Sequence, residues 1–294
     1  MARIVLIGEA MLELARKGGD WQLGYGGDTL NTAIHLARKG HDTAYFTAIG
    51  IDLLSQDLKS HWAAEGLNTA LVLEHPSRNT GLYAISTDAR GERSFTYWRE
   101  TSAAREMFDL PAASSALESI ATADLLAFSL ITLAILPQAA RSKLLDLAQV
   151  VRNKGGQVAF DGNYRSRLWS NVDEAAAARD AAIACATIGL PTLEDETAIS
   201  GESDPAAVSA HWQSLGCAET IVKLGSEGCS LPDGSIVAPD AVLEPVDTSG
   251  AGDAFNGGYL AARMNGADIA DAARAGHALA GWTIMRPGAI PAKD

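Results

Sequence analysis

Short apolar runs alternate with amphipathic stretches along most of the chain. Runs of four to six residues, each typical of a buried strand, occupy residues 4–8, 44–49, 125–128, 157–161, 188–191 and 220–224. Between them, residues 29–39 and 141–153 carry apolar side chains at helical spacing. Strands that alternate with helices predict an α/β fold with a mostly parallel central sheet and helices on both faces.

One region breaks this alternation. Residues 80–87 and 93–99 alternate apolar and polar side chains, and Asp-Ala-Arg-Gly at 88–91 predicts a hairpin turn between them. The segments 11–16 and 21–25 have similar short-strand character. We therefore predict a small antiparallel lid sheet, inserted from about residues 11–26 and 78–100 into a single domain that spans residues 1–294. Its aromatic side chains should cover a ligand or a second subunit, so we expect a homo-oligomer formed through the lid sheet.

Charge narrows the classes of partner. The chain of 294 residues carries a formal net charge of −13 at pH 7. Nucleic acids and anionic membranes both favour basic surfaces, so we expect neither as a partner. An anionic substrate would need local cations or a metal ion to hold it, because the overall field repels it.

Targeting signals and cysteine usage both favour the cytoplasm. The longest apolar run, residues 125–137, is too short to cross a bilayer, and the N-terminal apolar run is too short for a signal peptide. Cys185, Cys217 and Cys229 are scattered without CxxC spacing. They predict free thiols in a reducing compartment.

Candidate chemistry concentrates in the stretch DTSGAGDAFNGGYLAA, residues 247–262. We expect a strand over 241–246, a tight turn over 248–252 and a helix from Asp253 to about residue 263. Free N–H groups at a helix start bind anions, and glycine lets a phosphate approach them closely. Asp253 at this edge could accept a proton from a hydroxyl, although it could also be only a helix cap.

Other phosphate motifs are absent from the sequence. GxxxxGK[ST] does not occur, which excludes a P-loop. In the stretch at 247–262, Phe255 stands where the third glycine of GxGxxG would fall, which excludes the dinucleotide motif there.

Three segments together resemble the ribokinase-like, or PfkB, carbohydrate kinases, and they occur in the order that this family shows. They are GGDTLNTA at 26–33, VKLGSEGCSL at 222–231 and the stretch at 247–262. The resemblance covers essentially the whole chain and implies a ribokinase-like fold with ATP and Mg²⁺ as cofactors. It also implies that Asp253 is the catalytic base and that the amides of Gly250, Ala251 and Gly252 form an anion hole.

Further segments are similar to the family's 2-keto-3-deoxygluconate kinases. They are IGEAMLEL, GYGGDTLNTA, GLYAISTDARGERSFTYWRETSAA and DGNYRSRLW. A sugar acid needs a cation for its carboxylate, and arginine suits that task because its planar fork donates two parallel hydrogen bonds. Arg99 and Arg165 are the candidates, although either could be an ordinary surface arginine.

The resemblance assigns the remaining substrate contacts. It places Gly27, Asp28 and Asn31 near the sugar hydroxyls, Tyr83, Tyr97 and Arg99 on the lid side, and Arg165 near the carboxylate. Asp28 and Asn31 could instead cap the helix at 29–39, and the two tyrosines could serve lid packing or a subunit contact.

On the nucleotide side the resemblance places one group of residues near the phosphates and ribose: Asn163, Lys223, Gly225, Ser226 and Gly228. His277 falls near the adenine, although a histidine in an alanine-rich helix is often only packed. The family's Asn-x-x-Glu metal element is altered here to Thr192-Leu193-Glu194-Asp195, with Glu196 next. Asp195 and Glu196 are therefore expected to reach a metal through water at most. The resemblance also allows a monovalent-cation site near Asp247.

The function predicted from these observations is ATP-dependent phosphorylation of the primary hydroxyl of 2-keto-3-deoxygluconate, with Asp253 as general base. A fructokinase, another neutral-sugar kinase or a nucleoside kinase is the alternative within the family. Outside it, a non-catalytic nucleotide-binding protein or a dimerisation module on the same fold stays open, because a fold alone does not fix a function.

Overall fold

The computed structural model describes residues 2–17, 19–87 and 93–293, so the turn predicted at 88–91 lies outside the described residues. The strands are β1 (Arg3–Ile7), β2 (Met11–Lys17), β3 (Asp20–Gly26), β4 (Asp42–Gly50), β5 (Val72–His75), β6 (Gly81–Thr87), β7 (Arg93–Trp98), β8 (Leu125–Ser129), β9 (Gln157–Asp161), β10 (Ile188–Gly189), β11 (Glu219–Thr220), β12 (Val222–Lys223), β13 (Cys229–Ser230) and β14 (Ile236–Val237). The helices are α1 (Asp28–Arg38), α2 (Leu53–Ala64), α3 (Ala113–Ile120), α4 (Leu130–Ile135), α5 (Gln138–Asn153), α6 (Val172–Cys185), α7 (Leu193–Ser200), α8 (Pro205–Ser214), α9 (Ala251–Met264) and α10 (Ile269–Ile284).

The central sheet has seven strands in the order β11-β10-β9-β8-β1-β4-β5, and every neighbouring pair is parallel. Side chains of β1 alternate between two cores: Ile4 and Leu6 pack on one face of the sheet, and Val5 and Ile7 on the other. Residues of α1, α2, α9 and α10 complete the first core, and residues of α3, α5, α6 and α8 complete the second. The predicted α/β fold with helices on both faces is confirmed.

Two predicted strands differ from the structure. The run at 220–224 is divided between β11, on the central sheet, and β12, which begins a small sheet of order β12-β13-β14. The strand predicted at 241–246 is wrong, because this segment is irregular and largely exposed, with Val242 98% exposed. Pro245 cannot donate a ladder hydrogen bond, and apolar residues alone do not make a strand without a partner.

The lid sheet has four strands in the order β3-β2-β6-β7. The pairs β2–β3 and β6–β7 are antiparallel, as predicted, and β2 joins β6 in parallel. Glu13, Tyr83 and Tyr97 lie opposite one another on its inner face. Its outer face presents Trp21 and Trp98, each more than half exposed.

No helix within the described ranges is long and apolar enough to span a membrane.

Candidate active site

A cleft of about 620 Å³ lies between the inner face of the lid sheet and the central α/β body. Glu9, Asp161 and Thr192 line it directly after or at the end of β1, β9 and β10. Ligands of parallel sheets bind at this carboxyl edge, where strand ends expose side chains without closing the core. The residues from Thr248 to Asp253 form another wall of the cleft.

The turn before α9 has the geometry of an anion site. Gly250 adopts a left-handed conformation at φ 69° and supplies no side-chain acceptor to the helix start. The Ala251 N–H donates to the Thr248 carbonyl oxygen at 3.3 Å. The N–H groups of Gly252 and Asp253 have no partner within the helix, so they can donate to an anion. A Cβ at Gly252 would meet only the Lys223 Nζ atom, at 3.8 Å. The space in front of Gly252 is therefore open to a ligand.

Asp253 lies in the first turn of α9 and its carboxylate faces helix α1. Its Oδ2 atom accepts a hydrogen bond of 2.8 Å from Asn31 Nδ2. Burial raises the pKa of Asp253 to about 8, and the negative charges of Asp28 and Asp161 act in the same direction. The Asn31 hydrogen bond and the Lys223 charge oppose that rise in pKa. A carboxylate with such a pKa is a strong enough base to take a proton from an alcohol during reaction.

Two buried oxygen atoms of residues that line the cleft have no hydrogen-bond partner among the described residues, whereas Asp28 has one. Asn163 Nδ2 donates to Asp28 Oδ2 at 3.2 Å, and burial raises the pKa of Asp28 as well. The Oδ1 atom of Asn31 and the Oε1 atom of Glu9 are buried and accept no hydrogen bond from the residues that the structure describes. Buried acceptors usually have a donor, so these two oxygens point to a hydroxyl-bearing ligand.

Lys223 forms a buried network below the anion site. Its Nζ atom donates to Asp161 Oδ1 at 3.2 Å and to Asn256 Oδ1 at 3.1 Å, and Asn256 Nδ2 donates to Asp161 Oδ2 at 2.9 Å. These bonds hold the ammonium group close to Gly252. Sequence reasoning named Lys223 but missed Asp161 and Asn256. The signal for Asp161 was present, since it ends a predicted buried strand.

On the lid side, aromatic rings and paired charges line the cleft. The Tyr83 and Tyr97 rings stack with centroids 5.8 Å apart, and the Tyr83 hydroxyl donates to the Glu13 carboxylate. Arg99 forms a buried ion pair with Glu9. Sequence reasoning missed both glutamates, although each lies in the quoted segment IGEAMLEL.

Two further arginines line the cleft after β9. Arg165 is half exposed, and its Nη1 atom lies 3.5 Å from Asp195 Oδ1. Arg167 was not singled out from the sequence, yet its guanidinium carbon lies 3.8 Å from the centroid of the Tyr97 ring. Two arginines in one loop look alike in a sequence, and only the fold places the second one against the lid.

The structure divides the predicted nucleotide residues into two groups. Asn163 and Lys223 line the cleft, whereas four others belong to neighbouring elements and do not: Gly225, Ser226, Gly228 and His277. The turn between β12 and β13 requires glycine, since φ is 63° at Gly225 and 109° at Gly228. His277 is packed on α10, with Nε2 2.9 Å from Val237 O and its ring 5.0 Å from that of Phe255.

The altered metal element contributes the carboxylates of Glu194 and Asp195 to the cleft, whereas Glu196, the next residue, does not line it. Asp195 lines the cleft and accepts a hydrogen bond of 2.6 Å from Thr192 Oγ1. Glu196 points away from it and forms a buried ion pair of 2.7 Å with Arg179. Across the described ranges, no group of three or more His, Cys, Asp or Glu side chains is arranged to hold a metal ion.

A buried carboxylate of raised pKa and the N-terminus of a helix share this cleft. Phosphoryl transfer to an alcohol can use the first as a base and the second as an anion site. Fold and site together define a phosphotransferase of the ribokinase-like fold. The family model "pfkB family carbohydrate kinase" matches residues 1–294, and the chain belongs to this family.

Individual relatives agree with this assignment. The chain is 40% identical over 297 residues to the 2-dehydro-3-deoxygluconokinase of Dickeya dadantii (strain 3937), covering 98% of this chain and 96% of that protein. It is 40% identical over 298 residues to the enzyme of the same name from Escherichia coli (strain K12), with the same coverage. Among solved structures, the fructokinase of Vibrio cholerae O395 with bound fructose, ADP and calcium superposes with a TM-score of 0.85. That match has 26% identity and covers 99% of this chain and 95% of that one.

Proposed function

We propose that the protein uses ATP to phosphorylate the primary hydroxyl of 2-keto-3-deoxygluconate, which is the same compound as 2-dehydro-3-deoxygluconate, to give the 6-phosphate. The observation that carries this proposal is the buried Asp253 carboxylate, hydrogen-bonded to Asn31 at the start of α9, in a cleft that three arginines line. The names of the Dickeya and Escherichia relatives support the choice of sugar acid.

In the proposed reaction Asp253 takes the proton of the substrate hydroxyl as its oxygen attacks the γ-phosphorus. The bond from that phosphorus to the β–γ bridging oxygen breaks, and ADP leaves with the electron pair. The amides of Gly250, Ala251 and Gly252 and the Lys223 ammonium receive the charge on the transferring group. These groups already line the cleft before the reaction, which limits the reorganisation that the transfer requires.

The sugar hydroxyls would lie against Gly27, Asp28 and Asn31. A Cβ at Gly27 would lie 2.4 Å from the Glu9 carbonyl oxygen, so no side chain fits at this position beside the cleft. Asn31 already donates to Asp253, and its free Oδ1 could accept from a second hydroxyl. Tyr83, Tyr97 and the arginines would complete the site from the lid side and from the loop after β9.

The nucleotide would place its phosphates between Asn163, Lys223 and the start of α9. Family resemblance assigns Gly225, Ser226 and Gly228 to the phosphates and ribose, and His277 to the adenine. Magnesium bound to the phosphates would neutralise their charge. Asp195, which lines the cleft, would hold it through water at most. Glu196 is paired with Arg179 and does not line the cleft. A monovalent cation near Asp247 stays a prediction, since both oxygens of this carboxylate accept backbone N–H groups.

A coupled ADP-release assay with a panel of sugars tests the proposal. We expect turnover on 2-keto-3-deoxygluconate to exceed that on fructose, ribose and nucleosides by at least tenfold in kcat/KM. Equal or better turnover on fructose would instead support the neutral-sugar alternative. The galactonate epimer differs at one hydroxyl, and the same panel ranks it.

We also propose that the outer face of the lid sheet joins two copies of the chain. Trp21, Leu23 and Trp98 are 52%, 51% and 55% exposed there, and apolar side chains grouped this way are typical of an interface. Light scattering should give at least twice the monomer mass for the native protein and a lower mass for Trp98→Lys.

The three free thiols support a cytoplasmic location.

A further inference from the structure

The backbone of Lys223 is fixed at the edge of the cleft, but its side chain is long. The Lys223 N–H donates to the Pro191 carbonyl oxygen at 2.8 Å, and the residue pairs with Cys229 between β12 and β13. Beyond that backbone, lysine carries its charge on a flexible four-carbon stem. The position of the ammonium group therefore depends on what that group itself contacts.

Two side chains from different parts of the fold accept hydrogen bonds from Lys223 Nζ. Asp161 Oδ1, at the end of β9, lies 3.2 Å away, and Asn256 Oδ1, on α9, lies 3.1 Å away. The Asn256 amide also donates to Asp161 Oδ2 at 2.9 Å, so the two acceptors fix each other. We call Asp161 and Asn256 the lysine clamp.

The clamp is almost completely buried. The side chains of Lys223 and Asp161 are 8% and 14% exposed, and Asn256 is 2% exposed. Burial of an ammonium group is costly unless an opposite charge compensates it, and Asp161 supplies that charge. Replacement of a buried ion pair by well-packed apolar residues is often neutral for stability, so packing alone does not account for the pair.

One N–H of the Lys223 ammonium remains for a ligand. An ammonium group has three donors, and among the residues that the structure describes only Asp161 and Asn256 accept from this one. The Nζ atom lies 3.8 Å from the position that a Cβ at Gly252 would occupy. A phosphoryl group at the start of α9 would therefore have the third donor of Lys223 within reach, together with the backbone N–H groups.

The helix that carries the base also carries one half of the clamp. Asn256 follows Asp253 by three residues on α9, and residues at this spacing are neighbours on a helix surface. Phe255 and Tyr259 fix the same helix in the hydrophobic core. The distance between the base and the Lys223 ammonium is therefore set by a packed helix and not by a loop.

The Asp161 carboxylate also offsets the effect of the ammonium charge on the base. Burial is the main cause of the raised pKa of Asp253, and of the nearby charges Asp161 raises that pKa whereas Lys223 lowers it. A lone cation at this position would weaken the base. With Asp161 beside it, the cation can lie at the phosphate site while Asp253 keeps its affinity for a proton.

We infer that Asp161 and Asn256 are positioning residues of the phosphoryl transfer, which hold the Lys223 ammonium where it donates to the transferring group. Neither residue has to contact the sugar or the nucleotide in this role. The inference rests on the proposed function and concerns its transfer step, whichever sugar is the acceptor.

A double-mutant cycle tests whether Asp161 acts through Lys223. The kcat values are taken from the plateau of each pH profile, with the sugar that the native protein phosphorylates fastest. Asp161→Asn should lower kcat about 10- to 100-fold, the loss expected when a charged donor loses its charged acceptor. In the Lys223→Met background the same substitution should change kcat by less than about twofold, because no ammonium group is left to position.

The exchange variant Asp161→Asn/Asn256→Asp provides the rescue. It moves the carboxylate to α9 and the amide to β9, and each side chain keeps an acceptor oxygen for Lys223 Nζ. We expect kcat to recover to within about fivefold of the native value, since both hydrogen bonds to Nζ are restored. Asp146→Asn, which removes an exposed carboxylate on α5, is the matched control and should leave kcat unchanged.

Three results would overturn the inference. One is a native kcat in Asp161→Asn, and another is an equal loss in the native and Lys223→Met backgrounds, because Asp161 would then act without Lys223. The third is an exchange variant that melts at the native temperature but recovers no activity. Each of these results leaves the proposed function standing, since the preference of the native protein for the sugar acid over fructose decides that function separately.

Discussion

The floor of the cleft, formed by the starts of α1 and α9, and the lid side hold their charges in opposite ways. On the floor, Asp253 and Asp28 lie close together in a buried setting, and burial with like charge raises the pKa of both. On the lid side, each glutamate has a donor: Glu9 has Arg99, and Glu13 has Tyr83. The floor therefore holds carboxylates whose affinity for a proton is raised, whereas the lid side keeps its acids paired with a cation or hydrogen-bonded.

This difference separates reaction from recognition. The floor is built on α1 and α9, whose other faces form part of one hydrophobic core, so its geometry is fixed by the fold. The lid sheet is held mainly by hairpins and stacked rings, with large side chains exposed on its outer face. Changes on the floor should lower kcat, and changes on the lid should alter KM and the choice of sugar.

The largest effect is expected from Asp253→Asn. Removal of the base should lower kcat by about 10²- to 10⁴-fold, because proton abstraction by a positioned carboxylate contributes that much. The variant should fold normally, since it removes a buried charge that like charges already disfavour. The coupled ADP assay measures kcat, and Asp109→Asn, on an exposed ion pair, serves as control. Near-native turnover in Asp253→Asn would mean that the floor holds no general base.

The next effect comes from Gly252→Ala. A Cβ there fits the fold, since it meets only Lys223 Nζ at 3.8 Å, but it occupies the space in front of the amides. We expect kcat to fall by about 10²-fold with the melting temperature unchanged, similar to the loss of one anion-hole donor. Gly250→Ala is the contrast: its Cβ would lie 2.5 Å from the Ala289 Cβ at φ 69°, so this variant should also lose stability. Full activity in Gly252→Ala would exclude phosphate contact at this turn.

A third prediction concerns pH. Asp253 must be ionised to act, so kcat/KM should rise with pH and level off above its pKa of about 8. Lys223 lowers that pKa, so Lys223→Met should move the profile to higher pH in addition to slowing the reaction. Lys143→Met, which removes a lysine from an exposed pair, should leave the profile unchanged. A profile that falls between pH 6 and 8 would contradict the assignment of Asp253 as base.

The same contrast explains what the sequence could predict. Hydrophobic periodicity identified the central sheet and α1, because buried strands and amphipathic helices impose a repeat on local sequence. The turn before α9 was recognisable because its chemistry is contiguous: Gly250, Gly252 and Asp253 are neighbours in the chain. The lid hairpins were predicted for a similar reason, since their alternation is local.

Contacts between distant segments were not predictable in this way. The Asp161, Asn256 and Lys223 network joins residues that are 33 to 95 positions apart, and nothing local marks them as partners. Arg165 and Arg167 are two positions apart in one loop, yet only the fold pairs one with Asp195 and the other with Tyr97. The segment 241–246 shows that a local pattern can also mislead. Its apolar residues suggested a strand, but in the structure the segment pairs with no strand of the described sheets.

The smallest effect tests how the lid supports recognition. If the Tyr97 ring holds Arg167 in place, Tyr97→Leu should raise KM for the sugar acid by about 2- to 5-fold, equivalent to about 0.5–1 kcal/mol for an exposed cation–π contact. Tyr97→Phe keeps the ring face and should stay near the native KM, so the pair separates the ring from its hydroxyl. Both variants should leave kcat unchanged, because the base and the anion site lie on the floor. A loss as large in Tyr97→Phe as in Tyr97→Leu would assign the contribution to the hydroxyl, and the stacking account of Arg167 would then fail.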